Sequence, residues 1–575
     1  MNRVRIAVVG VGPRGLSVLE RVISYARRGG PPTELLLIEP GELGTGVHRV
    51  EQPDYLLLNT IASQLTIFSD QRMTPGAPVT EGPSLFEWCA ERCDSVRFDD
   101  YLPRRLLGEY LQWAVGELLQ RVPARLVVRH LRVAAVDVRP NGAGAAVTLA
   151  DGTRDDVDLA ILTTGHGIAS QERGHVDDRL ITTPYPLPER VDGIPPGSTV
   201  ALLGTGLTAM DVIAALTLGR GGEFTAGAYR PSGREPRIIL ANRAGWLPRA
   251  RPATTLTRRA APARYFTPAA VAKLREATPD GRLDFRRDVE PLIRREVLWR
   301  LGNAEAGQVE AVFRVLRPAR ENLPSYEHYS KRLVEIAAAD LREAEAGLGF
   351  SLVKESLEIL RDHRESLRAA LDPPGLTEES HRFFTAEYTP LVNRAVIGPQ
   401  KERIRELLAL LAAQIVLPGP GPAPELTRCG SGWTLSSTCL DRPHHMAADV
   451  AVAAYLGWPV ADAHADRIVA SLRNWAAPGP GGTPRLDRDG YVVARSGGAP
   501  AAVAVFGPPA EGASYYNHYV PSPGVWSRAL TDLDRVIGPA LEKTSVLSSW
   551  MSPTGAPKHA RVGSPTGAPK HARVG

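Results

Sequence analysis

The sequence predicts an α/β chain made of two Rossmann-like nucleotide folds with a large helical insertion. Three observations predict it. An apolar strand runs into a glycine turn and a helix near residue 10, the same succession recurs near residue 204, and from about 265 to 415 Leu, Ala, Glu and Arg recur at three- and four-residue spacing. At 575 residues the chain exceeds one ordinary hydrophobic core, so several domains are expected.

The first unit opens with Arg5-Ile6-Ala7-Val8-Val9, an apolar run that fits a strand buried on both faces of a parallel sheet. Gly10-Val11-Gly12-Pro13-Arg14-Gly15 follows, then a helix from Leu16 to Arg28 and a second strand from Glu34 to Glu39. In this context Gly10 permits the tight turn, Gly12 lets the backbone approach a pyrophosphate, and Gly15 lets helix and sheet pack closely. The helix N-terminus offers free N–H groups to the phosphates. Glu39, at the end of the second strand, is placed to accept hydrogen bonds from ribose hydroxyls.

Alternating apolar positions between Val127 and Ala150, broken at Asn141-Gly142, predict a hairpin. The strand Leu159 to Leu162 then leads into Thr163-Thr164-Gly165-His166, where Gly165 would let the backbone pass close to a bound dinucleotide. The second unit begins at Ser198-Thr199-Val200-Ala201-Leu202-Leu203 and turns through Gly204-Thr205-Gly206-Leu207-Thr208-Ala209, with Ala209 at the third glycine position. Its next strand is expected at Arg237 to Ala241. No carboxylate ends that strand, and Arg243 follows it, which suits a 2′-phosphate and favours NADPH over NADH.

Pro418-Gly419-Pro420-Gly421-Pro422 reads as a linker, after which Ala447 to Tyr455 and Ala501 to Phe506 look like strands returning to the first domain. The expected organisation is 1–194 first nucleotide domain, 195–264 second nucleotide domain, 265–417 helical insertion, 418–548 return to the first domain, and 549–575 a disordered tail. Within that tail Ser552 to Gly563 repeats as Ser564 to Gly575.

The net charge of +5 comes from arginines scattered among acidic residues, without the like-charge blocks of a nucleic-acid surface. No apolar run approaches the roughly 20 residues of a membrane span, and no secretion signal opens the chain, so a cytoplasmic protein is expected. Cys89, Cys93, Cys429 and Cys439 lack the paired spacing of a zinc site, and no metal is expected.

Taken together, these motifs resemble the two-dinucleotide-domain flavoprotein monooxygenases, and within them most of all the aspartate N-hydroxylases that form nitrosuccinate. The resemblance extends to Gly44-Thr45-Gly46-Val47-His48, to Gln52-Pro53-Asp54-Tyr55-Leu56-Leu57-Leu58-Asn59-Thr60 and to Tyr101 through Leu111. It continues through Asn393-Arg394, Gly398-Pro399 and Phe506-Gly507-Pro508-Pro509-Ala510-Glu511-Gly512. It departs from the N-hydroxylase pattern at Thr163, His166 and Gln171.

The resemblance implies FAD in the first fold and NADPH in the second. It implies a small amino acid and molecular oxygen as partners, and N-oxygenation through a C4a-hydroperoxyflavin, with L-aspartate to nitrosuccinate as the expected reaction. It places Asn59, Gln64, Gly507 and Gly512 near the flavin and gives His48 or His166 a part in orienting a proton or the nicotinamide. Arg104, Arg105 and Arg394 become candidates for the substrate carboxylates. An ornithine- or lysine-type N-hydroxylase is the alternative. A flavin disulfide reductase would need a redox cysteine pair, for which the spacing of Cys89 and Cys93 is unsuited, and a non-catalytic nucleotide sensor would lack flavin and NADPH oxidation.

Overall fold

The computed structural model describes residues 3–93, 95–166, 179–255, 258, 260–302, 304–316, 322–455, 467–498 and 500–542. Gln171 and the duplicated tail lie outside the described residues. Two five-stranded parallel sheets organise the chain. In the first, the order is Val503–Val505, Leu159–Leu162, Val4–Val9, Thr33–Ile38, Leu126–Leu131. The register aligns Val9 with both Ile38 and Leu162, so the central strand ends beside both neighbours and Gly10 turns away at that carboxyl edge. The helix Pro13–Arg28 has Pro at its start and packs against Arg528–Glu542, while Arg104–Gln120 also lies against it. Ile6, Val8, Leu16, Leu19, Ile23, Tyr110 and Leu533 are among the residues that fill this core.

The second sheet runs Val416–Pro418, Arg237–Ala241, Thr199–Leu203, Val450–Ala453, Leu180–Ile181, again all parallel. The strands expected at Leu159 to Leu162 and Arg237 to Ala241 form where the sequence places them. Asn141 pairs with Gly144 across the expected hairpin, whose strands are Ala135–Asn141 and Gly144–Leu149.

The domain path differs from the expected one in four places. Leu180–Ile181, assigned to the first domain, is an edge strand of the second sheet. Lys401–Ala412, assigned to the insertion, buries Leu407, Leu410 and Leu411 in the core of the second fold and is the crossover helix into Val416–Pro418. Pro418 to Gly421 are buried rather than a free linker: Gly419 donates to the Leu240 carbonyl at 2.9 Å, and a Cβ there would meet Ala241 Cβ at 3.0 Å. Val450–Ala453 pairs with Thr199–Leu203, so the chain returns to the first fold only afterwards, with Arg467–Leu472 and Val503–Val505. A short apolar strand fits either parallel sheet equally well, and its pairing partner is set by contacts far away in sequence.

Between Arg237–Ala241 and Lys401–Ala412 the expected helices form their own core, with Phe285, Val297, Leu357, Leu367, Phe384 and Tyr388. Tyr515, from the returning chain, packs into that core. Among the described residues no helix is long and apolar enough to cross a membrane.

Candidate active site

One cavity of about 1580 Å³ lies between the second glycine turn, the helical insertion and the segment around Gly46, which packs against Gly12 of the first turn; Gly10, Gly12 and Gly15 themselves are outside its lining. That volume exceeds the roughly 300–1,000 Å³ of a pocket for one small ligand. Its walls include Gly46, His48, Asn59 and Gln64 from the first fold, Gly204, Thr205 and Gly206 from the second, and Arg251, Glu358 and Arg361 around the insertion. Tyr515, Tyr516, His518 and Tyr519 close it from the returning chain.

At the first turn Gly10 has φ +82°, and a Cβ there would lie 2.7 Å from Thr164 Cα. Gly12 faces Gly46 so closely that a Cβ would approach Gly46 Cα to 3.3 Å, and a Cβ on Gly15 would meet the Gly10 carbonyl oxygen at 2.5 Å. Glu39 stands at the end of its strand, where its carboxylate accepts from the Val11 amide at 3.0 Å and the Gly41 amide at 3.1 Å, buttressing the turn. At the second turn Gly204 has φ +133° and donates to the Ala241 carbonyl at 2.7 Å, while Ala209 is buried under the helix. Arg243 is exposed beyond Arg237–Ala241 and lies outside the cavity lining.

Gly165 has φ +73° with open space around it. Gly507 has φ +77° and lies against the Arg14 side chain, and the Gly512 carbonyl contacts His381 Nε2 at 3.0 Å. Neither lines the cavity, which the chain between them reaches through Pro508 and Glu511. Glu511 accepts from the Tyr516 and Asn517 amides, each at 2.9 Å, and Arg14 donates to the Asn517 and Tyr519 carbonyls, so the aromatic wall is tied to the helix of the first glycine turn.

Both candidate histidines line the cavity in neutral form. Burial, assisted by the Arg104 charge, lowers His48 to about 3. Burial and the neighbouring His518, whose ring centroid is 6.0 Å away, lower His166 to about 4.

The three arginines expected to hold carboxylates are disposed differently. Arg104 does line the cavity, yet its Nη2 is bound to Asp211 at 2.6 Å and its Nε donates to the Leu57 carbonyl at 3.1 Å. Arg105 lies outside the lining and pairs with Asp54 and Glu109 at the surface. Arg394 also lies outside, donating to the Val315 carbonyl at 3.3 Å. Adjacent residues on a helix point in different directions, which is why the Arg104-Arg105 pair does not act on one ligand.

Sequence reasoning missed Arg251, Arg258, Arg361 and Arg364, which all line the cavity. Arg258 pairs with Glu355 at 3.1 Å and Asp362 at 2.5 Å, Arg361 with Glu358 at 3.3 Å, and Arg364 lies 4.0 Å from Glu365. Arg251 has no ion pair among the described residues: Nη1 donates to the Val396 carbonyl at 3.0 Å, and Nε is buried without a partner. His48 Nδ1 and Gln52 Oε1 are likewise buried and unpartnered at the same cavity. Each such atom costs roughly 1–3 kcal/mol unless a bound group pairs with it, so the lining fits polar cofactors and an anionic substrate.

The family described as FAD-NAD(P)-binding matches residues 7–167. An L-aspartate N-monooxygenase (nitrosuccinate-forming) from Streptomyces cremeus is 31% identical, the match covering 93% of this chain and 94% of that protein. A nitrosuccinic acid synthase from Aspergillus oryzae is 30% identical over 75% of each chain. An ornithine N-hydroxylase from Kutzneria sp. 744 shares the fold, with a TM-score of 0.50 at 13% identity over 94% of this chain and 99% of that one. Two nucleotide folds opening on one cavity, with this kinship, define a flavin-dependent enzyme that uses FAD and NAD(P). The chain belongs to the nitrosuccinate-forming L-aspartate N-monooxygenase family.

Proposed function

We propose that the protein oxidises the amino group of L-aspartate to nitrosuccinate with NADPH and molecular oxygen. The observation that carries the substrate assignment is Arg251. Its buried guanidinium lines the cavity with no carboxylate in ion-pair contact and with Nε unpartnered, so a donor remains for a ligand carboxylate, while nearby Glu358 offsets part of its charge. Ornithine and lysine each offer one carboxylate where aspartate offers two, so they lack the second anionic group that Arg251 would take.

FAD and NADPH, when bound, supply the reducing equivalents and the activation of oxygen. The chain's own residues bind, orient and exclude water. Gly10, Gly12 and Gly15 admit the FAD pyrophosphate, Gly204, Gly206 and Arg243 serve NADPH, and Asn59 and Gln64 face the flavin. Tyr515, Tyr516 and Tyr519 shut water from the reacting end. His48 and His166, neutral across the working pH range, offer hydrogen bonds without adding positive charge. Arg251 takes a substrate carboxylate, and Arg104 holds the two nucleotide folds together.

An amine panel tests the reading. Aspartate is expected to accelerate NADPH consumption and give nitrosuccinate, while ornithine and lysine give neither. Hydroxylation of ornithine or lysine in preference to aspartate, or release of peroxide alone with every amine, would overturn it. Arg251→Ala should raise KM for aspartate by about 10- to 100-fold, the equivalent of one charge-assisted contact, while leaving NADPH-driven flavin reduction unchanged.

A further inference from the structure

An ammonium nitrogen has no lone pair to offer, so an amino-acid substrate must give up a proton before its nitrogen can attack oxygen. A side chain lining the cavity is the nearest group to receive that proton. We propose that Glu358 is the receiver: its carboxylate binds the substrate ammonium and takes one proton from it. This rests on the reading that the enzyme oxygenates the nitrogen of an amino acid.

Glu358 lies in the helix Leu352–Asp362, whose N-terminus is capped by Ser351 accepting from the Lys354 amide at 3.0 Å. Its side chain is 6% exposed and lines the cavity. Among the described residues its only hydrogen bond comes from Arg361 Nη1 at 3.3 Å, which leaves the second oxygen open to a ligand. Arg361 also reaches Gln64 Oε1 at 3.5 Å, so the carboxylate stands next to the segment assigned to the flavin.

The charges around Glu358 are mixed. Arg251 and Arg258 favour the ionised form, Asp362 and Glu355 oppose it, and Lys354 is held by Asp340 at 2.7 Å. Burial outweighs them and pushes Glu358 up to about 7. A carboxylate so placed is ionised when the ammonium arrives and basic enough to accept its proton, which an ordinary glutamate is not. His48 and His166, lowered to about 3 and about 4, are much weaker bases.

The step balances. One N–H bond of the ammonium breaks, its electron pair stays on nitrogen, and an O–H bond forms on Glu358. The products are a neutral amine and a carboxylic acid, which later returns its proton to water. Arg251 and Glu358 then read the two ends of one zwitterion, carboxylate and ammonium.

The test uses FAD-loaded wild-type enzyme, Glu358→Gln and Glu358→Asp. In the wild type, kcat/KM for aspartate should rise with pH through an inflection near 7. Glu358→Gln should abolish the inflection and lower product formation by about 10²- to 10⁴-fold, the range of general-base catalysis, with flavin reduction by NADPH retained. Glu358→Asp should be slower yet keep the inflection. Aspartate should bind at least tenfold more weakly to Glu358→Gln, whereas succinate, which lacks the ammonium, should change less than twofold. An unchanged pH profile and product yield in Glu358→Gln, loss of the inflection in Glu358→Asp, or equal weakening of succinate would each overturn the assignment while wild-type turnover of aspartate keeps the reaction itself. If the wild type oxygenates no amino acid, both fall.

Discussion

A methyl group at Gly10 would sit 2.7 Å from the Thr164 backbone and would have to hold φ near +82°. Gly10→Ala should therefore lose FAD on gel filtration and cost about 1–3 kcal/mol of stability in denaturant melts. Arg243→Ala at the other turn should raise KM for NADPH at least tenfold and leave KM for NADH within twofold, and equal losses would remove the 2′-phosphate contact. The depressed histidines set an acid limit. His48 and His166 are neutral when folded but protonate near 6.5 once unfolded, so between pH 6.5 and about 3 the unfolded chain binds more protons. Stability should fall as pH drops through that window, and His48→Gln should flatten the slope of melting temperature against pH. At this scale the glycines were legible because a left-handed φ and a close backbone approach leave few other choices. Arg251 and Glu358 were not, because nothing in their neighbours distinguishes them from the many surface arginines and glutamates of helices.

Whole elements were easier to read where local physics decides them. The helix Leu85–Ala90 carries a capping box, in which Ser84 accepts from the Glu87 amide and the Glu87 carboxylate accepts from the Ser84 amide at 2.7 Å. Ser84→Ala should cost about 1 kcal/mol by urea titration. The hairpin at Asn141-Gly142 and both strand–turn–helix units were plain in the sequence, whereas the capping box at Ser84 emerged only with the structure. The stretch from Pro418 to Pro422 was misread because proline and glycine mark a free linker and a tightly packed crossover alike. Only burial against Leu240 and Ala241 separates the two.

On the scale of the molecule, one buried network joins the nucleotide folds. Arg104, at the start of Arg104–Gln120 in the first, pairs with Asp211 in Leu207–Leu216 of the second, and the Tyr185 hydroxyl donates to the same carboxylate at 2.5 Å. Asp211→Asn leaves that guanidinium without its counter-charge and should destabilise the protein by about 3–5 kcal/mol. Such a junction is invisible in sequence, where Arg104 lies far from both Tyr185 and Asp211.

The path of the chain through its two sheets has a consequence during synthesis on the ribosome. The strand Thr199–Leu203 emerges long before its neighbour Val450–Ala453, and Leu159–Leu162 waits for Val503–Val505 until the chain is nearly complete. Until then each nascent sheet presents an unpaired apolar edge, a template for pairing between chains. A fragment ending at residue 440 should therefore accumulate as aggregate where the full chain is soluble, and slowing translation should worsen the yield of the full chain unless a chaperone shields those edges.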